Sequence, residues 1–183
     1  LFGEFTEVTA YDENGKLIGF DTEFAEAVSD IVGVPVKFQE IEWDQKEVEL
    51  KSRTIDCIWN GLTVTEERKA NMAFSKSYVV NEQVVVINKA NADKFTSLEA
   101  MDGIKVCAES GSAGESAIEA DAHLSTGTYL GVSAQKDALL EVKAGTCDAA
   151  VLDLTLAKAV INEDTDYSDL MILEGASLQS EEY

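Results

Sequence analysis

The chain has 183 residues, 45% hydrophobic and 27% charged, the balance of a globular protein long enough to bury a core without metal or disulfide staples. Thirty-five acids against fourteen bases give a net charge of −21, which repels phosphate backbones and argues against nucleic-acid binding. No apolar run approaches the roughly 18 residues that a membrane helix needs. In chain order, Asn14-Gly15 between two apolar segments predicts a hairpin. Asp21 stands where it can cap a helix with Phe24, Ala27, Val28 and Ile31 on one face, and Gly33 stands where that helix stops. Residues 34–41 read as a strand, Asp44 opens a short helix through Lys51, and residues 55–59 read as the next strand. The β-branched run at 83–88 predicts a buried strand. The order then restarts: a capped turn at 97–101, a strand at 104–108, a helix at 112–122 and a strand at 128–132. A helix at 135–143, a strand at 148–152, a helix at 155–161 and a strand at 170–173 complete it. This alternation predicts an α/β protein with two similar lobes and mixed, mostly parallel sheets, the boundary lying in a strand near Asn81 to Val85.

An internal echo supports two related halves. Residues 49–63 superpose without gaps on residues 141–155, with Glu49/Glu141, Lys51/Lys143, Thr54/Thr146, Asp56/Asp148, Leu62/Leu154 and Thr63/Thr155 identical. Both copies read as helix, turn, strand, then a polar residue opening another helix. Cys57, Cys107 and Cys147 match no metal spacing and sit among apolar or small neighbours, so they read as small buried hydrophobes, with a disulfide open to one pair.

In open α/β sheets, ligands bind beyond the carboxyl ends of the strands, where helix N-termini offer amides. After the first echoed strand come Asn60, Gly61, Thr63, Thr65 and Arg68; after the second comes Asp153. A guanidinium grips a carboxylate through two parallel bonds and a carboxylate accepts from an ammonium, so the two could hold a zwitterion. Taken singly, Arg68 also fits an ordinary charged helix surface and Asp153 a helix cap. Gly111 and Gly114, in the turn from Glu109, permit close backbone approach, and Ser112 can donate; the turn lacks the lysine of a phosphate loop. Phe5 and Trp43, near loop positions, are suited to stacking on a ligand side chain, and as lone aromatics they also fit a core. His123, the only histidine, reads as a surface residue, and no metal, cofactor or catalytic motif is found.

Together these motifs resemble the polar amino-acid substrate-binding proteins of ABC importers, solute-binding protein family 3, over essentially the whole chain. The landmarks are residues 12–21 (DENGKLIGFD), 55–68 (IDCIWNGLTVTEER), 72–75 (MAFS), 104–112 (IKVCAESGS) and 145–153 (GTCDAAVLD). The resemblance implies the type II periplasmic-binding-protein fold, with lobe 1 at 1–82, lobe 2 at 83–176 and the start of a return crossover at 177–183. It implies hinge strands near Glu82–Gln83 and Glu174–Gln179, and a chain trimmed at both ends. It further implies that Arg68 binds a ligand α-carboxylate and Asp153 its α-amino group. Gly61, Thr63 and Ser112 would add contacts, Phe5 and Trp43 would sandwich the side chain, and Glu4 and Asn60 would line the pocket. The loop reads Gly111-Ser112-Ala113 where relatives often carry a further hydroxyl. The implied function is capture of an L-amino acid by clamp closure and delivery to an ABC permease. The protein would be a monomer without cofactor, metal or enzymatic activity, outside the cytoplasm in the periplasm or on the cell surface as a lipoprotein. The alternatives are a dehydratase of the cyclohexadienyl type, with Glu4 as its candidate acid or base, and the sensor domain of a receptor built on the same clamp.

Overall fold

A computed structural model describes residues 10–11 and 15–183. The hairpin forms: β1 (Ala10–Tyr11) and β2 (Leu17–Ile18) pair antiparallel, and Gly15 takes a positive φ in the connection. Helix α1 (Phe20–Val32) follows and ends on Gly33 in the left-handed conformation that glycine adopts without Cβ strain. Asp21 does not cap it. Gly19 occupies the cap position, and the Asp21 side chain turns inward to accept from the Tyr78 hydroxyl at 2.8 Å. Burial there pushes the Asp21 carboxyl up to about 6.

The expected apolar face of α1 is only partly covered. Ala25 is buried, and Phe24 meets Trp59 edge-on at 5.2 Å and Tyr78 at 5.5 Å, but Ile31 is 83% exposed. The strands expected at 34–41 and 55–59 are not formed either. Strand geometry needs a partner ladder, and among the described residues nothing pairs with these segments; Cys57, expected inside, is accordingly exposed. The short helix after Asp44 is present as a 3₁₀ turn (Trp43–Gln45) running into α2 (Lys46–Ser52), and α3 (Glu66–Asn71) is capped by the Thr65 hydroxyl.

The second half follows the predicted order closely. Its elements are β3 (Val80–Asn88), β4 (Lys105–Glu109), α4 (Ala113–Ala120), β5 (Thr128–Val132), α5 (Gln135–Lys143), β6 (Ala149–Asp153), α6 (Leu154–Val160) and β7 (Leu170–Glu182). At the turn before β4, Ser97 stands at the cap of a 3₁₀ helix but makes no side-chain cap bond. The strands form one sheet in the order β5-β4-β6-β3-β7, with β5, β4 and β6 parallel and β3 antiparallel to both neighbours. Four of the five strands therefore run the same way and β3 alone runs against them, a mixed and mostly parallel sheet as expected. Strand β7 runs far beyond the expected 170–173, pairing with β3 from Asn88 down to Val80. The register slips between Gln83 and Val84 and again before Val86.

Alternation along the strands splits the core into two layers. Val85, Ile87, Val106, Ala108, Ala149 and Val151 pack with Ala117 and Ile118 of α4 on one face. Val84, Val86, Cys107, Ala150 and Leu152 pack with α5 and α6 on the other. Gly114 lets α4 lie tight on the sheet, since a Cβ there would stand 2.8 Å from the Val151 carbonyl oxygen. Cys107 and Cys147 are buried free thiols, as the sequence suggests. His123 lies at the surface beside Asp102, with Nδ1 2.9 Å from Oδ1.

The echo is structural at its turn. Thr54 and Ile55 N–H both donate to the Glu49 carbonyl (3.1 and 3.5 Å), and Thr146 and Cys147 N–H to the Glu141 carbonyl (2.9 and 3.2 Å). The left-handed residue is Gly145 in one copy (φ 74°) and Arg53 in the other (φ 64°). A side chain in that conformation costs on the order of 1 kcal/mol. Arg53→Gly is expected to raise stability by about 0.5–1 kcal/mol, read as an upward shift of the urea midpoint without a change of slope.

Candidate functional site

Sheet geometry brings the ends of β4 and β6, the turn into α4 and the start of α5 to one edge. The segment from Trp43 to Lys46 and the loop 60–68 face them. Seven of the nine sequence candidates, Trp43, Asn60, Gly61, Thr63, Arg68, Ser112 and Asp153, line a single narrow recess together with Glu109, Ala113 and Gln135. Glu4 and Phe5 fall outside the described residues.

Arg68 is 9% exposed. Thr65 starts its helix, and the side chain then folds back so that Nη1 donates to Thr63 O at 2.9 Å and Nη2 to Gly111 O at 3.2 Å. Two of its five N–H donors are thus placed on carbonyls, which fixes the plane of the guanidinium and leaves the others for an anion. Burial lowers its pKa, opposed chiefly by the negative charge of Glu181.

Lys46 was not anticipated from sequence. It is buried at the start of α2, and its Nζ donates to Trp43 O at 3.0 Å and to Gly111 O at 2.8 Å while lying 4.7 Å from the centre of the Trp43 ring. Burial, with Arg68 nearby, brings its ammonium down to about 8. Two cations thus converge on the single carbonyl of Gly111. At the same turn the Glu115 carboxylate accepts from Gly111 N at 2.6 Å, and Ser112 Oγ accepts from Glu115 N at 3.2 Å, which leaves the Ser112 O–H as a donor.

Asp153 ends β6 and is 3% exposed. Its Oδ1 accepts from Asn81 Nδ2 (2.7 Å), Gln83 Nε2 (2.6 Å) and the Tyr183 hydroxyl (2.6 Å), and its Oδ2 accepts from Gln135 Nε2. Gln135 also accepts from Asp153 N at 3.0 Å, so it grips the residue twice. Burial, then the charge of Glu181, push the Asp153 carboxyl well above the ordinary range. The rule that singled out Asp153 applies equally to Gln135, which opens the helix after β5, so a sequence signal for it existed. Asn81, Glu181 and Tyr183 carry no such signal, because only the pairing of β3 with β7 brings them behind Asp153.

The recess thus brings together the Arg68 guanidinium, the carboxylates of Asp153 and Glu109 and the Trp43 indole, with the Lys46 ammonium close by at Gly111. That arrangement suits a small molecule bearing both a carboxylate and an ammonium. Among the described residues no cluster of His, Cys, Asp and Glu could hold a metal ion, and no helix is long and apolar enough to cross a membrane.

The family model for bacterial extracellular solute-binding proteins, family 3, matches residues 3–166. The chain is 33% identical over 157 residues to the probable amino-acid-binding protein YxeM of Bacillus subtilis (strain 168), covering 84% of this chain and 58% of that protein. It therefore spans little more than half the length of that relative. Among solved structures it is similar to the arginine-bound form of truncated ArgBP from T. maritima, with a TM-score of 0.88 and 32% identity over 99% of this chain and 82% of that one. It is also similar to an ancestral amino acid-binding protein, AncCDT-1, described as a precursor of cyclohexadienyl dehydratase, with a TM-score of 0.85 and 27% identity over 98% of this chain and 76% of that one.

Proposed function

The chain belongs to the bacterial extracellular solute-binding proteins of family 3, and on that premise we propose that it captures a free L-amino acid outside the cytoplasm and presents it to an ABC importer. The observation that supports this reading is the recess itself. Arg68 and Asp153, 85 positions apart, both line it and carry the complementary charges of a zwitterion's two ends. In this reading Arg68 grips the α-carboxylate, with Ser112 O–H and Lys46 beside it. Asp153 receives the α-ammonium, and Trp43 covers the side chain.

Capture proceeds by closure of lobe 1 (1–82) on lobe 2 (83–176) about the paired strands β3 and β7. Their register slips at Gln83–Val84 and the facing residues Ser177 and Gln179 give the ladder a place to bend. The dehydratase alternative needs an acid directed at its substrate. Binding without turnover is the reading we adopt, since the matched relative YxeM is named a probable amino-acid-binding protein and the similar T. maritima structure holds bound arginine.

A thermal-shift panel of the twenty L-amino acids tests it. Arginine leads the panel, since arginine is bound in the similar T. maritima structure and a net charge of −21 favours cations. At a hundred times Kd a specific ligand adds about 2.7 kcal/mol, or roughly 5–10 °C for a chain of this size. A flat response across the whole panel at millimolar concentration would sink the proposal.

A further inference from the structure

Behind Asp153, outside the recess lining, lies a second buried acid. Glu181 of β7 is 5% exposed and shares its amide donors with Asp153. Two amides from β3 bridge the pair. Asn81 Nδ2 stands 2.7 Å from Asp153 Oδ1 and 2.6 Å from Glu181 Oε1, and Gln83 Nε2 stands 2.6 and 2.7 Å from the same two oxygens. The Tyr183 hydroxyl donates to Asp153 from the end of β7, and Glu181 Oε2 is buried with no hydrogen-bond partner.

The other elements around the pair bring little compensating charge. Among the described residues, α5 brings the neutral Gln135, α6 the Thr155 hydroxyl, the end of β4 a third acid, Glu109, and α3 a cation, Arg68. Two carboxylates this close, out of water, cannot both stay ionised.

We propose that Asp153 and Glu181 share one proton in the unliganded protein and that an arriving α-ammonium displaces it, so that amino-acid capture releases a proton and Glu181 is a positioning residue acting through Asp153. The idea rests on the ammonium docking at Asp153. The balance is simple: the ligand brings one positive charge, the pair loses one proton, and that proton leaves to solvent. Binding therefore tightens as pH rises through the range in which the shared proton comes off and weakens as pH falls. The slope is about tenfold in Kd per pH unit where a full proton is exchanged.

Carboxyl carbon NMR on protein labelled at Asp and Glu side chains tests the first half without any ligand. One signal, assigned through Asp153→Asn and Glu181→Gln, should titrate above pH 6, far from the ordinary value of about 4. Its absence overturns the proposal. An equimolar mixture of the twenty L-amino acids tests the second half. The titration should then move below pH 5, and Glu181→Gln should flatten the pH profile of affinity while binding is kept. A mixture that raises the melting temperature but leaves the titration unmoved overturns the coupling. A mixture that raises no melting temperature refutes the assigned function, and with it the ligand half of this inference, while the NMR still decides the shared proton. If Glu181→Gln does not fold, the wild-type titration remains decisive.

Discussion

Arg68→Ala is expected to weaken amino-acid binding at least tenfold, about 1.4 kcal/mol, and by as much as 2–5 kcal/mol if closure strips water from the ion pair. The substitution removes the one forked cation in the recess, while the structural cost is limited. Gly111 O keeps its bond from Lys46, and only Thr63 O loses a donor, a loss on the order of 1 kcal/mol. Arg68→Lys separates charge from geometry. It keeps the positive end but not the two parallel donors, and should fall between wild type and alanine. Calorimetry returning an unchanged Kd for Arg68→Ala would mean that the carboxylate docks elsewhere.

Asp153→Asn is expected to be as severe for binding, about 30-fold or more, because the ammonium then meets a neutral amide in a dry site. Its effect on folding has two opposed parts. Neutralising a buried acid beside Glu181 removes a repulsion. An amide NH₂ in place of one oxygen, however, faces donors, since Asn81, Gln83, Tyr183 and Gln135 all point hydrogens at this carboxylate. Unmatched donors cost about 1–3 kcal/mol each, against a repulsion spread over a bridged pair, so a lower melting temperature is expected. A variant that binds normally would place the ammonium away from β6. One that melts higher than wild type would show that repulsion outweighs the four bonds.

What sequence reasoning could see here follows from which interactions are local. Helices α4 and α5 and strands β4 and β5 were legible because each carries its own period and cap signals, and the flanking ladders exist to hold the strands. Residues 34–41 and 55–59 carry similar apolar patterns but become strands only if something pairs with them, and no residue pattern encodes the neighbour. The recess was legible where the rule about strand ends applied, at residues 112 and 153; residues 60–68 reach it from a loop, without the strand expected before them. Lys46 was not, because a lysine one turn into a charged helix looks solvated until the Gly111 carbonyl and the Trp43 ring are seen to enclose it. Asn81 and Gln83 look like the polar prelude to a hydrophobic strand. Their partners, Asp153 and Glu181, lie 70 to 100 positions away.

The turn at Gly111 gives this architecture a narrow tolerance. Its backbone sits at φ 72°, and a Cβ added there would stand 3.2 Å from the Cα of Asp44 and 3.4 Å from the Lys46 ammonium. A single methyl group would act as a doorstop between the Trp43–Lys46 segment and the head of α4. In the proposed clamp, jaws held ajar in that way would still admit a guest molecule at Arg68 but would not seal over it.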